Sequence, residues 1–598
     1  MSTNYRSETQ VNYLGSDAIL HQPFEQQVLK SPDAVAVIFE DQQLTYKELD
    51  NRANQLAHYL QSLGVGPEVL VGMFMERSPN LIVSILGILK AGGVCVPMDT
   101  SDPKERLDFI LVDTKASVLL TEDCFLRELP NDNRHTISMD KIWVNLANER
   151  VEAPISEVTP ENLAFVFYAS GSTGTPKGVM LSHKACSNGH VWVQKTLLLS
   201  MEDRILFKAS VFAGLVKEFF LLLGVGGALV VAPPNSQKDS FHLIELIAKH
   251  NITIIAITPS QLQVLIEENL LLKCSNLKHV MCSAEPLPLK LQEHFLASQT
   301  ANLYNTYGVT EVGPHTTFWP CKCTQNVVPI GRPIDDVQIY ILDSNLQRVP
   351  VETPGEIYIG GKGLAQGYLN QPRLTDERFI PNPFSNQPGE RLYKTGDLGR
   401  YLSDGNIEHL GRADRQVKIR GFRIELEEVE LVLSQHPAIE QAVVVIREDI
   451  SINNYLVAYI VLHEKQKCKI SELRHFLNQK LPSYMVPSVF VILSIMPLTP
   501  NGKIDYHALP IPDRTGKNSE ECFVASRDDI ELQLVKLWEE ILNVHPISIR
   551  DDFFHLGGNS LLAVHLFTQI EKIFGETLPL ITIFQAATVE KIANIIRK

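Results

Sequence analysis

Between residues 22 and 410, stretches with helical periodicity, such as 46–63, alternate with short apolar runs rich in β-branched residues, such as 252–258. That alternation predicts mostly parallel sheets flanked by helices, the pattern of a large α/β domain. A chain of 598 residues exceeds what one core usually spans, so further domains are expected beyond it. Past the charged stretch 411–421, two strand-like runs at 442–446 and 455–462 precede a helical segment near 470–481, which reads as a small α+β domain. Residues 510–520 carry proline and charge and read as a flexible linker. Three amphipathic stretches follow, 529–542, 560–574 and 589–597, and fit a small helical bundle. The expected boundaries are 1–413 for the large α/β domain, 414–510 for the small one, 511–524 for the linker and 525–598 for the bundle.

Composition narrows the functions open to such a chain. A formal net charge of -15 and a pI near 5.7 repel a phosphate backbone, and no long basic run offsets them, so nucleic acid is not an expected partner. The nine cysteines are scattered, and the close pair Cys321 and Cys323 lacks a second pair at zinc-site spacing. They read as reduced thiols. The N-terminus is polar, and the longest apolar run, 219–232, is too short and too glycine-interrupted to span a bilayer. A cytoplasmic protein without a membrane partner is expected.

Ser560 sits in Asp-Asp-Phe-Phe-His-Leu-Gly-Gly-Asn-Ser-Leu (551–561), after two glycines and at the start of an apolar-periodic stretch. Taken alone, a serine there is a helix N-cap. The run 163–168 leads into Ala-Ser-Gly-Ser-Thr-Gly-Thr-Pro-Lys-Gly (169–178). Its glycines let backbone N–H groups turn toward an anion, the hydroxyls of Ser170, Ser172 and Thr173 add donors, and Lys177 adds charge. It is not a Walker A loop, because no Ser or Thr follows the Lys-Gly pair in the required place.

Five strings in order carry a resemblance. The 169–178 loop, with Ser170, Gly171, Ser172, Thr173, Gly174 and Lys177, resembles the phosphate loop of the adenylate-forming superfamily. Asn-Thr-Tyr-Gly-Val-Thr-Glu (305–311) resembles its adenine and magnesium motif, Tyr-Lys-Thr-Gly-Asp (393–397) its ribose motif, 411–421 its hinge, and Pro-Asn-Gly-Lys-Ile-Asp (500–505) its catalytic-lysine segment. The 551–561 string is similar to the phosphopantetheine attachment motif of carrier domains. Together they identify the chain as similar to a nonribosomal peptide synthetase adenylation domain, with its mobile C-terminal subdomain, fused to an all-α, four-helix peptidyl carrier domain.

The resemblance implies an ATP-dependent, AMP-forming ligase that makes an acyl-adenylate and moves the acyl group to its own carrier. It implies ATP, Mg²⁺ and 4'-phosphopantetheine on Ser560 as cofactors. The implied partners are a carboxylic acid, a phosphopantetheinyl transferase and downstream synthase or synthetase modules. Asn305 would bond the adenine, Tyr307 would stack on it, Thr310 would hold phosphate and Glu311 would ligate Mg²⁺. Asp397 would accept from both ribose hydroxyls, with Ala284, Glu285 and Arg412 completing the nucleotide set. Asp414 would be the hinge, and Lys503 would contact the carboxylate and α-phosphate. His409 stands where the family usually has an aromatic residue near the nucleotide.

The acid pocket would be lined by Phe212, Ala213, Gly214, Lys217, Ser260, Met281, Ser283, Thr306, Pro314 and His315. Amino-acid-activating relatives read Phe-Asp-x-Ser here, the Asp pairing with the α-ammonium, whereas this chain has Phe-Ala-Gly-Leu. An unpartnered buried ammonium would cost about 3 to 5 kcal/mol, roughly two to three decades in affinity. The acid is therefore expected to lack an α-amino group. Lys217 either meets a substrate oxygen or charge, or lines the pocket with its stem while its head reaches solvent, the second reading being preferred.

With no condensation domain ahead of it, the chain resembles the loading module of microcystin- and nodularin-type synthetases, which implies a bulky phenylpropanoid-type starter. Its end just after the last carrier helix reads as excision from a longer synthase. A module for amino, hydroxy or keto acids, and a stand-alone acyl-CoA or aryl-CoA ligase, are the alternatives.

Overall fold

The computed structural model describes residues 18–597 except 172–173, 210–212, 235, 237–238, 323–325, 420, 449–453, 464–465, 467, 500–502, 513–523, 543, 554–555, 557, 559, 577, 579–581 and 584–585. The described residues form two units: 18–170, 176–234 and 243–421 in the first, and 422 onward with the short pieces 171–175 and 235–242 in the second.

In the first unit the expected alternation builds two sheets. One has seven strands in the order Gly367–Tyr368, Lys177–Ser182, Leu163–Ala169, Val94–Met98, Leu70–Phe74, Val118–Thr121 and His135–Ser138. Its central strands run parallel, with Val71 opposite Cys95 and Val118. All five residues of Val94–Met98 are buried, as a strand covered on both faces requires. The covering helices have definite starts. Thr45 caps Tyr46–Ser62 in a reciprocal box, its Oγ1 accepting from Glu48 N while Glu48 Oε2 accepts from Thr45 N. That helix buries Leu49, Ala53, Leu56 and Leu60 on one face.

The second sheet positions the site. Its nine strands run Arg332–Pro333, Thr317–Pro320, Asn302–Tyr307, His279–Cys282, Ile254–Ile257, Arg204–Phe207, Ala228–Val231, Val35–Phe39 and Gln42–Thr45. The strands ending at Phe207, Ile257, Cys282 and Tyr307 are parallel neighbours, so their carboxyl ends share one edge. Segments distant in sequence, around Lys208, Ser260, Ser283 and Thr306, are thereby gathered where open α/β sheets place ligands.

The expectation of mostly parallel sheets up to residue 410 fails in its last quarter. Val337–Leu342, Gly355–Gly361, Arg391–Tyr401, Phe379–Pro381 and Ile407–Arg412 form an antiparallel sheet. No helix long enough to carry a parallel crossover separates these strands, and the one intervening helix, Pro372–Arg378, has seven residues. This sheet carries the 393–397 motif.

In the second unit, Ile439–Glu448 and Asn454–Leu462 pair antiparallel, with Val489–Leu493 parallel beside the latter, around a core of Val443, Val457, Tyr459 and Met496. The helices Ile470–Lys480, Asp529–Leu542, Ser560–Phe574 and Val589–Ile596 lie within one residue of the amphipathic stretches read from the sequence. No described helix is long and apolar enough to cross a membrane.

Candidate active site

Leu163–Ala169 and Lys177–Ser182 form an antiparallel hairpin with Ala169 opposite Lys177, so the Ser/Thr/Gly loop is its connection. Gly174 has φ +79° and its N–H donates to Gly171 O at 3.0 Å, a turn that glycine adopts without steric cost. Ser170 is buried; Ser172 and Thr173 lie outside the described residues.

Lys177 is buried at the hairpin neck, with Nζ 3.8 Å from Glu311 Oε1 and 5.2 Å from the centre of the Tyr368 ring. Tyr368 OH donates to the same Oε1 at 2.9 Å. Glu311, in the short turn after Asn302–Tyr307, is fully buried, while Thr310 beside it is partly exposed. A buried carboxylate anchored by one hydroxyl and one ammonium fits a Mg²⁺ that takes a single protein carboxylate and draws its other oxygens from phosphates and water.

A second network surrounds the ribose motif. Tyr307 OH donates to Asp397 Oδ2 at 2.6 Å, and Arg412 Nη1 donates to Asp397 Oδ1 at 2.7 Å. His409 Nε2 lies 3.3 Å from that oxygen, its ring 6.0 Å from the Tyr307 ring, and Lys418 Nζ is 5.6 Å from the centre of the latter. Burial alone would raise the Asp397 pKa, but the His409 hydrogen bond and the Lys418 and Arg412 charges overcome it and hold the carboxyl well below its usual range. Burial, followed by the Asp397 charge, pushes the Tyr307 phenol up. The histidine in the usual aromatic position thus supports the carboxylate directly. Arg412 also donates through Nε and Nη2 to Asp414 at 2.6 and 2.8 Å, joining the nucleotide motif to the expected hinge. Asn305 is buried, with Nδ2 donating to Pro329 O at 2.9 Å.

Of the residues expected to line an acid pocket, Lys217, Ser260, Ser283 and Thr306 lie at the common strand edge. Ala284 follows Ser283 with φ +72°, an uncommon backbone for a residue with a Cβ, and Glu285 Oε2 accepts from Ser260 N at 3.1 Å. Met281 is fully buried. Pro314 and His315 lie against Gly189, where a Cβ would be 3.2 Å from each. His315 is 2% exposed, and among the described residues neither ring nitrogen has a hydrogen-bond partner. Burial, then the Lys217 and His190 charges, holds its pKa well below the usual imidazole value, so the ring is neutral.

The preferred sequence reading of Lys217, a stem with its head in solvent, is overturned. The residue is 8% exposed and its Nζ donates inward to Thr306 Oγ1 at 3.0 Å, while Thr306 Oγ1 donates to Cys282 O. The helix Ala213–Leu223 faces the sheet, too deep for a lysine stem to carry its head out. Burial lowers the Lys217 pKa to about 8, opposed by the Glu218 carboxylate. Phe212 lies outside the described residues, as does the Ala213 side chain; Gly214 is exposed.

Sequence reasoning gave no role to Lys208, Glu218 or Tyr368. Lys208 follows the strand Arg204–Phe207, partly buried, with Nζ 3.5 Å from Gln261 Oε1. Glu218 is buried and its Oε2 accepts from the backbone N–H of Lys208 and Ala209 at 2.8 and 2.7 Å. A glutamate one residue after a lysine in an apolar helix was the available signal.

Lys503 and Ser560 belong to the second unit. Lys503 is exposed, and its carbonyl oxygen accepts from Thr499 N at 2.7 Å. Ser560 is the first residue of its helix; its side chain lies outside what the structure describes.

The model for AMP-binding enzymes matches residues 24–369, more than half the chain. The chain belongs to that family. The AMP-binding enzyme C-terminal domain matches 428–503 and the phosphopantetheine attachment site matches 533–596, the order of a nonribosomal peptide synthetase adenylation domain and its carrier. Tyrocidine synthase 3 of Brevibacillus parabrevis is 42% identical over 581 residues, covering 96% of this chain and 9% of that protein. Gramicidin S synthase 2 of Brevibacillus brevis is 38% identical over 603 residues, covering 98% of this chain and 13% of that protein. The chain thus spans about a tenth of these relatives. Among solved structures, NpsA-ThdA, an artificially fused adenylation-PCP di-domain from Klebsiella oxytoca, superposes with TM-score 0.72 at 27% identity, covering 80% of this chain and 94% of that one.

Proposed function

We propose that this AMP-binding enzyme activates a carboxylic acid as its acyl-adenylate and passes the acyl group to a phosphopantetheine thiol on Ser560. The observation that carries the reading is the Tyr307–Asp397–Arg412 network, a buried, ionised carboxylate beside an aromatic ring, suited to a ribose and its base. A carboxylate oxygen of the acid attacks the α-phosphorus of ATP, the bond to the β,γ-phosphates breaks, and pyrophosphate leaves. Positioning and charge neutralisation do most of the work in such a transfer. Lys177 and the 170–175 loop are assigned to the phosphates, and Glu311 would hold Mg²⁺, which when bound neutralises phosphate charge. Lys503 is assigned to the carboxylate and α-phosphate, and Asp414 to the pivot that lets the small domain turn between half-reactions; both assignments rest on the resemblance. The thiol then attacks the acyl carbon and AMP leaves, giving a thioester.

Ala213 in the position of the amine-binding aspartate supports an acid without an α-ammonium, the phenylpropanoid type being the first to test. Such an acid has no α-amine to accept an upstream acyl group, so its place is at the start of a peptide chain. ATP-pyrophosphate exchange over amino, hydroxy, keto and aryl acids, followed by intact-protein mass of the phosphopantetheinylated chain, tests both halves. No exchange with any acid, or acyl transfer to free coenzyme A with none to Ser560, would refute the reading.

A further inference from the structure

The acid pocket is charged in a way that an aryl ring does not require. Lys217 and Ala213 are four residues apart on one helix, so they share a face one turn apart. The position that bears an anion in amino-acid-activating relatives is neutral here, and its neighbour is a cation. The Lys217 ammonium has three N–H donors, and Thr306 Oγ1 is its one acceptor among the described residues. His315 is 2% exposed, neither ring nitrogen has a hydrogen-bond partner among the described residues, and its neutral ring retains one N–H donor.

The carboxylate that offsets the Lys217 charge, Glu218, supports Lys208 as well. Its Oε2 is already bonded to two backbone N–H groups. Glu218 thus faces both ammoniums, and the other carboxylate at this edge, Glu285, accepts from Ser260 N. At the edge where the strands end, Lys217 has two N–H donors beyond the one given to Thr306 Oγ1, and among the described residues His315 has no hydrogen-bond partner, so donors are in excess there.

We propose that Lys217, with His315 beside it and Lys208 adding to the field, binds a second anionic oxygen group on the acid that the enzyme activates, so that the preferred substrate is a dicarboxylic acid rather than a plain aryl acid. This rests on the acid-activating reading above and refines it. The second carboxylate accepts from the two spare Lys217 donors and the His315 N–H. An α-ammonium at that place would meet Lys217 and be repelled, which agrees with the missing aspartate.

The test is pyrophosphate exchange with four acids that differ only at the α-carbon: 3-phenylpropanoic, benzylmalonic, phenylpyruvic and 2-amino-3-phenylpropanoic acid. Wild-type protein is expected to give kcat/KM for benzylmalonate at least about tenfold above that for phenylpropanoate. Lys217→Met should erase or reverse the ratio, and Lys217→Arg should retain most of it. Binding of ATP alone, measured calorimetrically, reports whether each variant is folded. If Lys217→Met does not fold, the wild-type ratio and the Lys217→Arg ratio still decide. Equal kcat/KM for the two acids, a preference for the uncharged 2-oxo group over the second carboxylate, or a ratio untouched in folded Lys217→Met overturns the inference while leaving acid activation standing. Absence of exchange with every acid overturns acid activation itself.

Discussion

Gly396 and Asp414 are in contact across the ribose motif: a Cβ at Gly396 would stand 2.6 Å from Asp414 Oδ2 and 2.7 Å from Arg412 Nη2. Gly396 also has φ +77°, and its O accepts from Ala413 N at 2.9 Å. The residue before Asp397 must therefore lack a side chain for both backbone and contact reasons. It ties the Asp397 carboxylate to the expected hinge.

Gly396→Ala is expected to combine the left-handed backbone cost, about 1 to 2 kcal/mol, with displacement of the Arg412–Asp414 pair. ATP affinity should fall and the protein should lose some stability. Calorimetric ATP titration and thermal unfolding check it, and wild-type affinity in the variant would mean that Arg412 and Asp414 shift freely.

Asp397→Asn keeps the shape but removes the charge on which Tyr307, Arg412 and His409 converge. With Arg412 left partly uncompensated and the ribose acceptor weakened, KM for ATP should rise about ten- to a hundredfold, the range of a lost charge-assisted hydrogen bond. Unchanged KM in exchange kinetics would remove Asp397 from the nucleotide site.

How much of this could be read in advance depended on whether a role lives in one contiguous string. Asp397, Glu311 and Lys177 stand out as candidates because each sits in a contiguous string that resembles a family motif. Tyr368, which touches Glu311 from 57 residues away, carries no such string; its role arises from sheet pairing. The helices around Ser560 followed from periodicity, because a bundle needs little beyond an apolar face. The antiparallel sheet from Val337 to Arg412 did not, since strand direction depends on crossovers rather than on the strands. Lys217 was misjudged for the same reason: stem length is in the sequence, depth is not.

Ser560→Ala should abolish the mass gain of phosphopantetheinylation and all thioester loading while leaving pyrophosphate exchange at the wild-type rate, because adenylation needs no thiol. Lys503→Ala should do the opposite, lowering exchange by orders of magnitude with the attachment mass intact; an exposed side chain contributes little to packing, so Tm should hold. A Ser560→Ala protein that still became acylated through a thioester would refute the carrier assignment.

The buried ammonium of Lys217 makes a pH-dependent statement about folding. Its pKa falls from the ordinary lysine value of 10.5 to about 8 in the folded chain, chiefly through burial. Below about pH 8 both folded and unfolded chains carry the charge, and the folded one bears its desolvation cost, about 3 kcal/mol by the size of the shift. Between about pH 8 and 10.5 the unfolded chain binds the extra proton, so the Lys217 contribution to stability rises with pH and the cost disappears. Lys217→Met should therefore be more stable than wild type at pH 7, and the difference should shrink as pH climbs through 8 toward 10. Denaturant unfolding of both proteins at pH 7, 8, 9 and 10 measures it. A difference that stays constant over that range would show that the Lys217 ammonium titrates at its ordinary value and is not held in the interior.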